Sequence, residues 1–313
     1  MKTDYPLVTK LLAGKVVNLK RFAYTDDKSW SCFNPSIGYS PTLGYAITFR
    51  SSNYVIMPDS GELYVETGGP IKNKVFFTET NENFELLNLR EISFEKSGQT
   101  TGRGVEDVKL FWRNNKWNFT GVFLERHVPV ARMCTGVLDT KKNLALDVEI
   151  HGSMNPKKPE KNWAVADEPN KHFDFIHGPT AIVKDDKVIF SMSDNEKIAP
   201  LRGNTNLLTL DDGTYLTLVH ILYTRKTRTY DGRMFGMRDG LYKNYTHMFA
   251  RYDERGSLIG LGDEFQFIGP GIEFAAGLVE IGDELVVSFG KDDVSSHVAI
   301  IPRSMALSNL KSV

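Results

Sequence analysis

The chain contains 313 residues, and its 38 Lys and Arg residues nearly balance its 39 Asp and Glu residues, for a formal net charge of −1. This balance argues against a general nucleic-acid-binding protein, and no apolar run reaches the roughly eighteen residues that a membrane-spanning helix needs. Cys32 and Cys134 are the only cysteines, too few for a disulfide framework or a cysteine zinc site. Because the N-terminus also lacks an apolar secretory segment, we expect a cytoplasmic globular protein with reduced thiols.

Short apolar segments separated by Gly, Asp and Asn follow one another along the whole chain, whereas segments with helical periodicity are scarce. Residues 7–19 fit either a short helix or an outer strand, and 44–50 is the first clear strand. Further along, two-residue turns between apolar runs predict hairpins. These turns are Asn114-Asn115, Asp185-Asp186, Asp212-Gly213 and Gly282-Asp283.

A degenerate repeat is visible when the predicted hairpins are aligned. Each unit starts with a polar or small motif, and the starts lie at 34–37, 106–109, 161–163, 203–206 and 275–278. The spacing of roughly forty to seventy residues suits four-stranded blades with variable loops. We therefore predict one all-β domain over residues 1–313, a five-bladed β-propeller in which residues 1–29 close or flank the ring. A β-sandwich or a two-domain all-β protein is the alternative.

The strand entrances carry the residues best suited to chemistry, because the inner strands of a propeller begin near its central channel. Adjacent carboxylates, Glu106 and Asp107, precede an apolar strand. One can transfer a proton while the other binds sugar hydroxyls, so both are catalytic candidates. A solvated turn would have the same local sequence.

Cationic and aromatic side chains at other strand ends suit a phosphate-bearing sugar. Arg50 ends a predicted strand, where a guanidinium can bind phosphate oxygens, although a surface arginine would look the same. Trp163 offers an apolar ring face to a sugar, with burial in the core as the alternative. The predicted donor-binding residues are Arg50, Lys161, Arg202, His220, Tyr245 and His247. The predicted sugar- or acceptor-binding residues are Asn34, Asn53, Arg103, Asn162, Trp163, Asn204, Glu273 and Asp293.

Several motifs of nucleotide and metal enzymes are absent from the sequence. It contains no P-loop, no Gly-x-Gly-x-x-Gly loop, no His-Glu-x-x-His helix and no Gly-x-Ser-x-Gly turn. Asp-x-Asp metal motifs are missing too, so we predict no metal site and no cofactor; Asp292-Asp293 leaves a metal alternative open. The co-substrate is expected to be an activated-sugar donor or inorganic phosphate.

A set of short motifs occurs in order at the predicted strand ends: Asn34-Pro35, Arg50, Gly104-Val105-Glu106-Asp107, Lys161, His220 and Gly290-Lys291-Asp292-Asp293. Over roughly residues 30 to 300 this set resembles the five-bladed β-propeller enzymes of glycoside hydrolase family 130, mainly phosphorylases of β-mannosides with related β-mannosyltransferases. The resemblance implies that Asp107 donates the proton and Asp293 binds the sugar. It also implies that Arg50, Lys161 and His220 form the phosphate pocket.

Departures from the family pattern shift the functional expectation. Val108-Lys109 stands where the family has Pro-Arg, and Lys161-Asn162-Trp163 replaces an aromatic-rich phosphate shell. These changes favour a glycosyltransferase that moves a sugar from a nucleotide or phosphate donor to a hydroxyl acceptor. The alternatives are an inverting glycoside phosphorylase acting on β-mannosides and a non-catalytic carbohydrate-binding propeller.

Residues 223–243 form an insertion relative to the family and carry six cationic residues against two acidic ones, with aromatic residues interleaved. Cations alternating with aromatic rings can bind a polyanion. This pattern raises a further alternative, a glycosyltransferase that modifies a polyanionic acceptor such as hydroxylated DNA. A solvated loop covering the sugar pocket is the simpler interpretation.

Overall fold

The computed structural model describes thirteen stretches of the chain, and every structural statement below concerns them. They are residues 15–19, 30–56, 63–65, 70–94, 103–124, 131–151, 159–165, 171–174, 181–184, 187–191, 201–203, 205–231 and 236–313.

After the first strand, β1 (Lys15–Leu19), the first half of the described chain forms antiparallel sheets in sequence order. The first sheet has the order β2-β3-β6-β7, with β2 (Ser31–Ser40), β3 (Gly44–Ser52), β6 (Asn73–Thr80) and β7 (Arg90–Ile92). A two-stranded sheet, β4 (Tyr54–Ile56) and β5 (Leu63–Val65), lies between β3 and β6 in the chain. The second sheet contains β8 (Val105–Arg113), β9 (Lys116–Phe123), β10 (Arg132–Asp139) and β11 (Leu144–Ile150).

The second half continues the same sequential pattern. The third sheet contains β12 (Ala164–Val165), β13 (Lys171–Asp174), β14 (Ala181–Lys184) and β15 (Lys187–Ser191). The fourth contains β16 (Leu201–Gly203), β17 (Leu208–Thr209), β18 (Tyr215–Asp231), β19 (Gly236–Tyr252), β20 (Leu258–Leu261) and, at its edge, β24 (Lys311–Ser312). The fifth contains β21 (Glu273–Ile281), β22 (Glu284–Lys291) and β23 (Ser295–Pro302), followed in the chain by α1 (Arg303–Ser308).

The first described strand joins the sheet formed by β21, β22 and β23 near the C-terminus. β1 pairs antiparallel with β23, with Lys15 opposite Ile300 and Leu19 opposite Ser296. Residues 15–19 are therefore an outer strand, one of the two predicted interpretations of 7–19; residues 1–14 and 20–29 lie outside the described part.

The predicted hairpin turns are confirmed by the strand pairing. Asn114 and Asn115 join β8 to β9 with φ angles of 51° and 57°, a left-handed conformation that asparagine tolerates and that tight hairpins favour. Gly213 and Gly282 adopt positive φ in the turns before β18 and β22. β14 and β15 pair on either side of 185–186. The scarcity of helix is confirmed as well, since α1 is the single helix within the described ranges.

The first strands of the sheets converge, which produces a propeller arrangement. The Ser36 hydroxyl in β2 accepts a hydrogen bond from the Leu110 amide of β8 at 2.9 Å and donates to the Ala276 carbonyl of β21 at 3.1 Å. Apolar side chains fill the spaces between neighbouring sheets; Phe77 of β6 and Phe119 of β9, for example, share one buried cluster. Residues at the strand entrances of different sheets are thereby brought together.

Residues 223–231 and 236–243 are strands instead of a loop, and 232–235 lie outside the described residues. β18 and β19 are 17 residues each and stay in register from Tyr215 opposite Tyr252 to Asp231 opposite Gly236, so the insertion lengthens a hairpin. The prediction of a covering loop is wrong for this backbone, because a continuous ladder satisfies its amides and carbonyls. Within the described ranges, no helix has the length and apolar character needed to cross a membrane.

Candidate active site at the strand entrances

Two equivalent β-bulges place polar side chains at the centre. The register of β2 against β3 shifts between Phe33 and Ser36, and that of β8 against β9 shifts between Glu106 and Lys109. Asn34 and Asp107 lie in these bulges, each with a φ of 48°. Asn and Asp tolerate this left-handed conformation, and a bulge redirects the side chain. The Asn34 amide nitrogen donates to Asp107 Oδ1 at 2.9 Å, although the residues are 73 positions apart.

Arg50, at the end of β3, binds both predicted catalytic carboxylates. Its Nη2 donates to Glu106 Oε1 at 2.7 Å, and its Nη1 donates to Asp107 Oδ1 at 3.3 Å. The guanidinium also lies 5.3 Å from the centre of the Phe33 ring. The structure thus brings Arg50, Glu106, Asp107 and Asn34 into one buried cluster.

The cations of this cluster keep donors for a ligand. A guanidinium carries five N–H bonds, and the described contacts of Arg50 use its Nε–H and one hydrogen on each Nη. Lys161 donates from Nζ to Glu106 Oε2 at 2.9 Å, and 39% of its side chain is exposed. Lys161 is therefore the more accessible cation of the two, whereas Arg50 chiefly fixes the carboxylates.

Asn73 and Ser52 complete the support of Arg50, and sequence reasoning did not identify them. Asn73 Oδ1 accepts from Arg50 Nε at 2.9 Å and from the Ser52 hydroxyl, while Asn73 Nδ2 lies 3.4 Å from Glu106 Oε1. Asn73 is a polar residue at the entrance of an apolar strand, the same signal that pointed to Asn34 and Asp107. It could have been found by that signal.

Asp107 is stabilised in its ionised form. Burial opposes ionisation, but the charge of Arg50, the hydrogen bond from Asn34 and the charge of Lys161 together outweigh it and lower the pKa of Asp107 below its ordinary value. A carboxylate that is ionised before substrate binds can accept a proton from a hydroxyl group.

Asp293 differs from Asp107 in its proton affinity. Tyr54 donates from its hydroxyl to Asp293 Oδ2 at 2.8 Å, joining β4 to the loop after β22. Burial raises the pKa of Asp293, and the negative charges of Asp107 and Glu106 raise it further, although Arg50 and the Tyr54 hydrogen bond act in the opposite direction. Two neighbouring carboxyl groups with opposite pKa shifts suit different roles in one reaction. Tyr54 is a third residue of this site, after Asn73 and Ser52, that the sequence analysis did not identify.

His220 and Tyr245 form an aromatic wall on the fourth sheet. Their rings stack with centroids 4.9 Å apart and an angle of 4° between planes. Burial, reinforced by the nearby positive charges of Arg202 and Lys109, lowers the pKa of His220 well below its ordinary value, so the ring is neutral. Burial and the charges of Asp293 and Asp107 raise the pKa of Tyr245 to about 12. His220 can thus donate or accept a hydrogen bond but brings no charge to a phosphate.

Lys109 is a buried cation directly after the carboxylate pair. It is 1% exposed, and Nζ donates to the Trp163 carbonyl at 2.8 Å, which ties the second sheet to the entrance of the third. Burial lowers the pKa of Lys109 to about 7, against the opposing effect of Asp107.

Glu273 and His247, two further predicted site residues, belong to a structural cluster. Glu273 is fully buried, and its carboxylate accepts the backbone amides of Phe267, Ile268 and Gly269 at 2.8 to 3.0 Å. Its Oε1 lies 3.7 Å from Lys291 Nζ, and its Oε2 lies 3.9 Å from His247 Nε2. The Glu273 carboxylate therefore binds the loop after β20 instead of facing a ligand.

The remaining predicted residues have backbone or core roles in the described structure. Trp163 is completely buried and donates to Glu160 Oε2 at 3.1 Å, so it has no exposed ring face for a sugar. Asn53 binds the Pro70 carbonyl and the Lys72 amide. The Arg103 carbonyl accepts the Asn73 amide while its side chain is exposed. Asn162 has a φ of 63° beside Lys161; Asn204 lies outside the described residues.

The geometry places a buried carboxylate next to two cations, an arrangement that can accept a proton beside a bound anion. The carboxylate of Asp107, the guanidinium of Arg50 and the aromatic wall come from three different sheets, and Lys161 comes from the segment that precedes β12. Groups of three or more His, Cys, Asp or Glu side chains arranged to hold a metal are not found in the described part of the chain.

Comparisons of the sequence with known proteins give no match: no protein-family model and no curated protein sequence is similar to the chain. Solved structures do match. A β-1,2-mannobiose phosphorylase from Listeria innocua superimposes with a TM-score of 0.58 and 12% identity, over 92% of this chain and 98% of that one.

Two proteins from Leishmania mexicana are also similar. A GDP-Man-dependent mannosyltransferase matches with a TM-score of 0.56 and 14% identity, over 92% of this chain and 89% of its own. A mannose phosphorylase in complex with phosphate matches with a TM-score of 0.55 and 12% identity, over 96% and 91%. At this level of identity the likeness concerns the fold: the chain shares the all-β propeller arrangement of these proteins.

Proposed function

We propose that the protein is a glycosyltransferase that moves a sugar from a phosphate-activated donor to a hydroxyl acceptor. Asp107 acts as the base: as the acceptor oxygen forms its bond to the anomeric carbon, the hydroxyl proton passes to the Asp107 carboxylate. The bond between the anomeric carbon and the donor phosphate breaks, and its electron pair stays on the phosphate oxygen. Arg50 and Lys161 stabilise that developing charge.

The observation that carries this proposal is the position of Asp107 within a cationic cluster, where its carboxylate binds Arg50 Nη1 and the Asn34 amide. In transfer from a phosphate donor, the hydroxyl proton must be accepted, which needs a carboxylate. In the reverse direction, phosphorolysis, the same group must begin protonated. Arg50, the Asn34 hydrogen bond and Lys161 lower the pKa of Asp107, which favours the transfer direction.

The other residues of the site have supporting roles in this proposal. Asp293, whose pKa is raised, binds a sugar hydroxyl beside Tyr54. The stacked pair of His220 and Tyr245 lines the sugar, and Arg202 lies at the same wall. Glu106 joins Arg50 to Lys161 and holds the two cations together.

The blade count is part of the proposal. Five described sheets of four or more strands follow one another in the chain, and β1 completes the fifth sheet. We assign each of them to one blade of a five-bladed propeller. The family-130-like character rests on this architecture and on the order of the motifs from Asn34 to Asp293.

A second candidate is an inverting phosphorylase acting on β-mannosides, favoured by the mannoside phosphorylases among the similar structures. Here inorganic phosphate would take the place of the donor phosphate at Lys161 and Arg50. A bound phosphate would offset the cations and raise the pKa of Asp107 toward the protonated form that phosphorolysis requires.

The lengthened hairpin of β18 and β19 bears on the acceptor. It extends the two strands that carry His220 and Tyr245, and the tract contains six cationic residues against two acidic ones. A polyanionic acceptor would be attracted to this charge. Both anionic and neutral hydroxyl compounds should therefore be tested as acceptors.

A donor panel tests the proposed function. The protein is incubated with nucleotide sugars, and separately with sugar 1-phosphates, each with mono- and oligosaccharide acceptors and with hydroxylated DNA. Turnover of an activated donor, dependent on an acceptor, is expected. Cleavage of a β-mannoside that requires inorganic phosphate, without donor turnover, would replace transfer by phosphorolysis. Sugar binding without turnover by the unmodified protein would leave only a carbohydrate-binding module.

A further inference from the structure

A cavity of about 480 Å³ lies at the junction of the first and second sheets, outside the central cluster. Its wall includes the apolar or aromatic side chains of Trp30, Val75, Ile92 and Phe94. Its volume falls within the range of pockets that bind small molecules. None of these four residues takes part in the proposed chemistry, so the cavity needs a separate explanation.

The rim of the cavity is positively charged. Lys72, Lys74 and Arg103 line it, against one acidic residue, Glu91. Lys74 is engaged: its Nζ lies 3.0 Å from Glu91 Oε2 and 5.4 Å from the centre of the Trp30 ring. Lys72 and Arg103 are exposed, and neither forms an ion pair with the described residues. Lys72 and Arg103, which have no ion-pair partner among the described residues, lie beside an aromatic and apolar wall. This combination suits a ligand with a flat ring at one end and phosphate at the other.

The cavity adjoins the reaction centre through Asn73. The same side chain that binds Arg50 and Glu106 belongs to a residue of the cavity wall. Gly104, with a φ of 82°, permits this contact between sheets, because a Cβ there would lie 2.2 Å from the Asn73 carbonyl oxygen. A ligand in the cavity is therefore one residue away from the cations that stabilise the leaving phosphate.

We infer that this cavity binds the nucleoside diphosphate portion of the donor, with the base against the Trp30 wall and the phosphates directed by Lys72 and Arg103 toward Arg50 and Lys161. This inference rests on the proposed transfer function and names its donor class. Inorganic phosphate alone would not fill an aromatic and apolar compartment of this size, whereas a nucleoside diphosphate would. Tight binding of a nucleoside diphosphate would therefore favour a nucleotide-sugar transferase over a phosphorylase.

Titration calorimetry of the full chain with ADP, GDP, UDP and inorganic phosphate tests the inference. At least one nucleoside diphosphate should bind at least tenfold more tightly than inorganic phosphate. Arg103→Gln and Lys72→Gln should each weaken that binding about tenfold, since each removes a charge-assisted hydrogen bond. Lys116→Gln, an exposed cation in the turn between β8 and β9, is the matched control and should bind normally.

Fluorescence adds a readout specific to the wall of the cavity. Nucleotide binding should quench tryptophan emission in the unmodified protein, and Trp30→Phe should remove most of that quenching while preserving the fold. Equal affinity for all four ligands, or normal nucleotide affinity in both cation variants, would overturn the inference.

Failure of the inference is distinguishable from failure of the proposed function. Transfer from a sugar 1-phosphate without any nucleotide binding would overturn the inference and leave glycosyl transfer in place. Nucleotide binding that depends on Lys72 and Arg103, in a protein without transfer activity, would support the cavity assignment and contradict the proposed function.

Discussion

Two buried carboxylate clusters, one around Asp107 and one around Glu273, are alike in composition and differ in the groups that bind their carboxylates. Around Asp107, side chains from several sheets supply the partners: Asn34, Arg50 and, through Glu106, Lys161. Around Glu273, three consecutive backbone amides and a lysine supply them. Backbone amides fix a loop, whereas side chains with unused donors can also bind a ligand. A buried charge is thus evidence of a ligand-binding site only when its partners still have unused hydrogen-bond donors.

The largest effect is expected from the loop-fixing cluster. Glu273→Gln keeps the shape but removes the buried charge that faces Lys291, which leaves Asp292 as the counter-charge of this lysine, and it weakens three hydrogen bonds. Loss of one partner of a buried pair typically costs about 3 kcal/mol of unfolding free energy. Chemical denaturation should show this loss. Because Glu273 lies outside the proposed chemistry, the turnover of the folded fraction should stay near normal; a selective loss of turnover with normal stability would reverse the roles of the two clusters.

The loss of unfolding free energy at acid pH is a second test of the cluster around Glu273, which contains His247. Burial and the charge of Lys291 lower the pKa of His247 to about 3, against a hydrogen bond to the Glu273 backbone. The unfolded chain takes up a proton on this histidine as the pH falls below about 6.5, while the folded protein does not. Stability present above pH 6.5 is therefore lost below it, by about 2 kcal/mol at pH 5.

Denaturation at pH 8 and pH 5 measures this loss. His247→Gln removes the titrating group, so its change in unfolding free energy between the two pH values should be smaller than that of the unmodified protein. An unchanged difference would mean that the histidine is not held neutral by the fold.

Arg50→Lys tests the capacity of the catalytic cluster to bind a ligand. The change keeps the positive charge and removes the planar fork that reaches Glu106, Asp107 and a donor phosphate together. Loss of one charge-assisted hydrogen bond should weaken the donor identified in the panel about tenfold. Equilibrium binding is the measurement, and Arg113→Lys, outside this cluster, is the control. Unaltered donor affinity would make Arg50 purely structural.

Tyr54→Phe should have the smallest effect. It removes one hydroxyl, the donor to Asp293, and leaves the ring beside Arg50. Losing this hydrogen bond should cost about 1 kcal/mol of unfolding free energy. It also removes an interaction that lowers the pKa of Asp293, so a carboxyl titration followed by nuclear magnetic resonance should show that pKa rising further. A fall would contradict the described hydrogen bond.

The parts of this site that the sequence predicted are those with a local signal. Asn34 and Asp107 are polar residues in positions that demand a left-handed backbone, and the hairpin turns are marked by Asn and Gly in the same way. Such signals are readable within a few residues because conformational preference is local.

The parts that escaped prediction depend on contacts between distant segments. Tyr54 binds Asp293 although the two are 239 residues apart, and the local sequence around either residue gives no sign of this contact. Trp163 has the composition of a sugar platform, yet the packing of His151 against its ring and its hydrogen bond to Glu160 bury it. The charges of the lengthened hairpin obscure the period-two pattern of a strand, so its sequence favours a loop.

Single-turnover transfer by Asp107→Asn tests the central claim most directly. Donor affinity and the rate of sugar transfer are measured on the same sample, with Asp283→Asn, the same substitution at an exposed residue in the turn before β22, as a control for folding and handling. The proposed role of Asp107 predicts a rate lower by about 10²- to 10⁴-fold, with donor affinity changed little because Arg50 and Lys161 remain. A near-normal rate with the variant correctly folded would contradict the role of Asp107 as the proton acceptor.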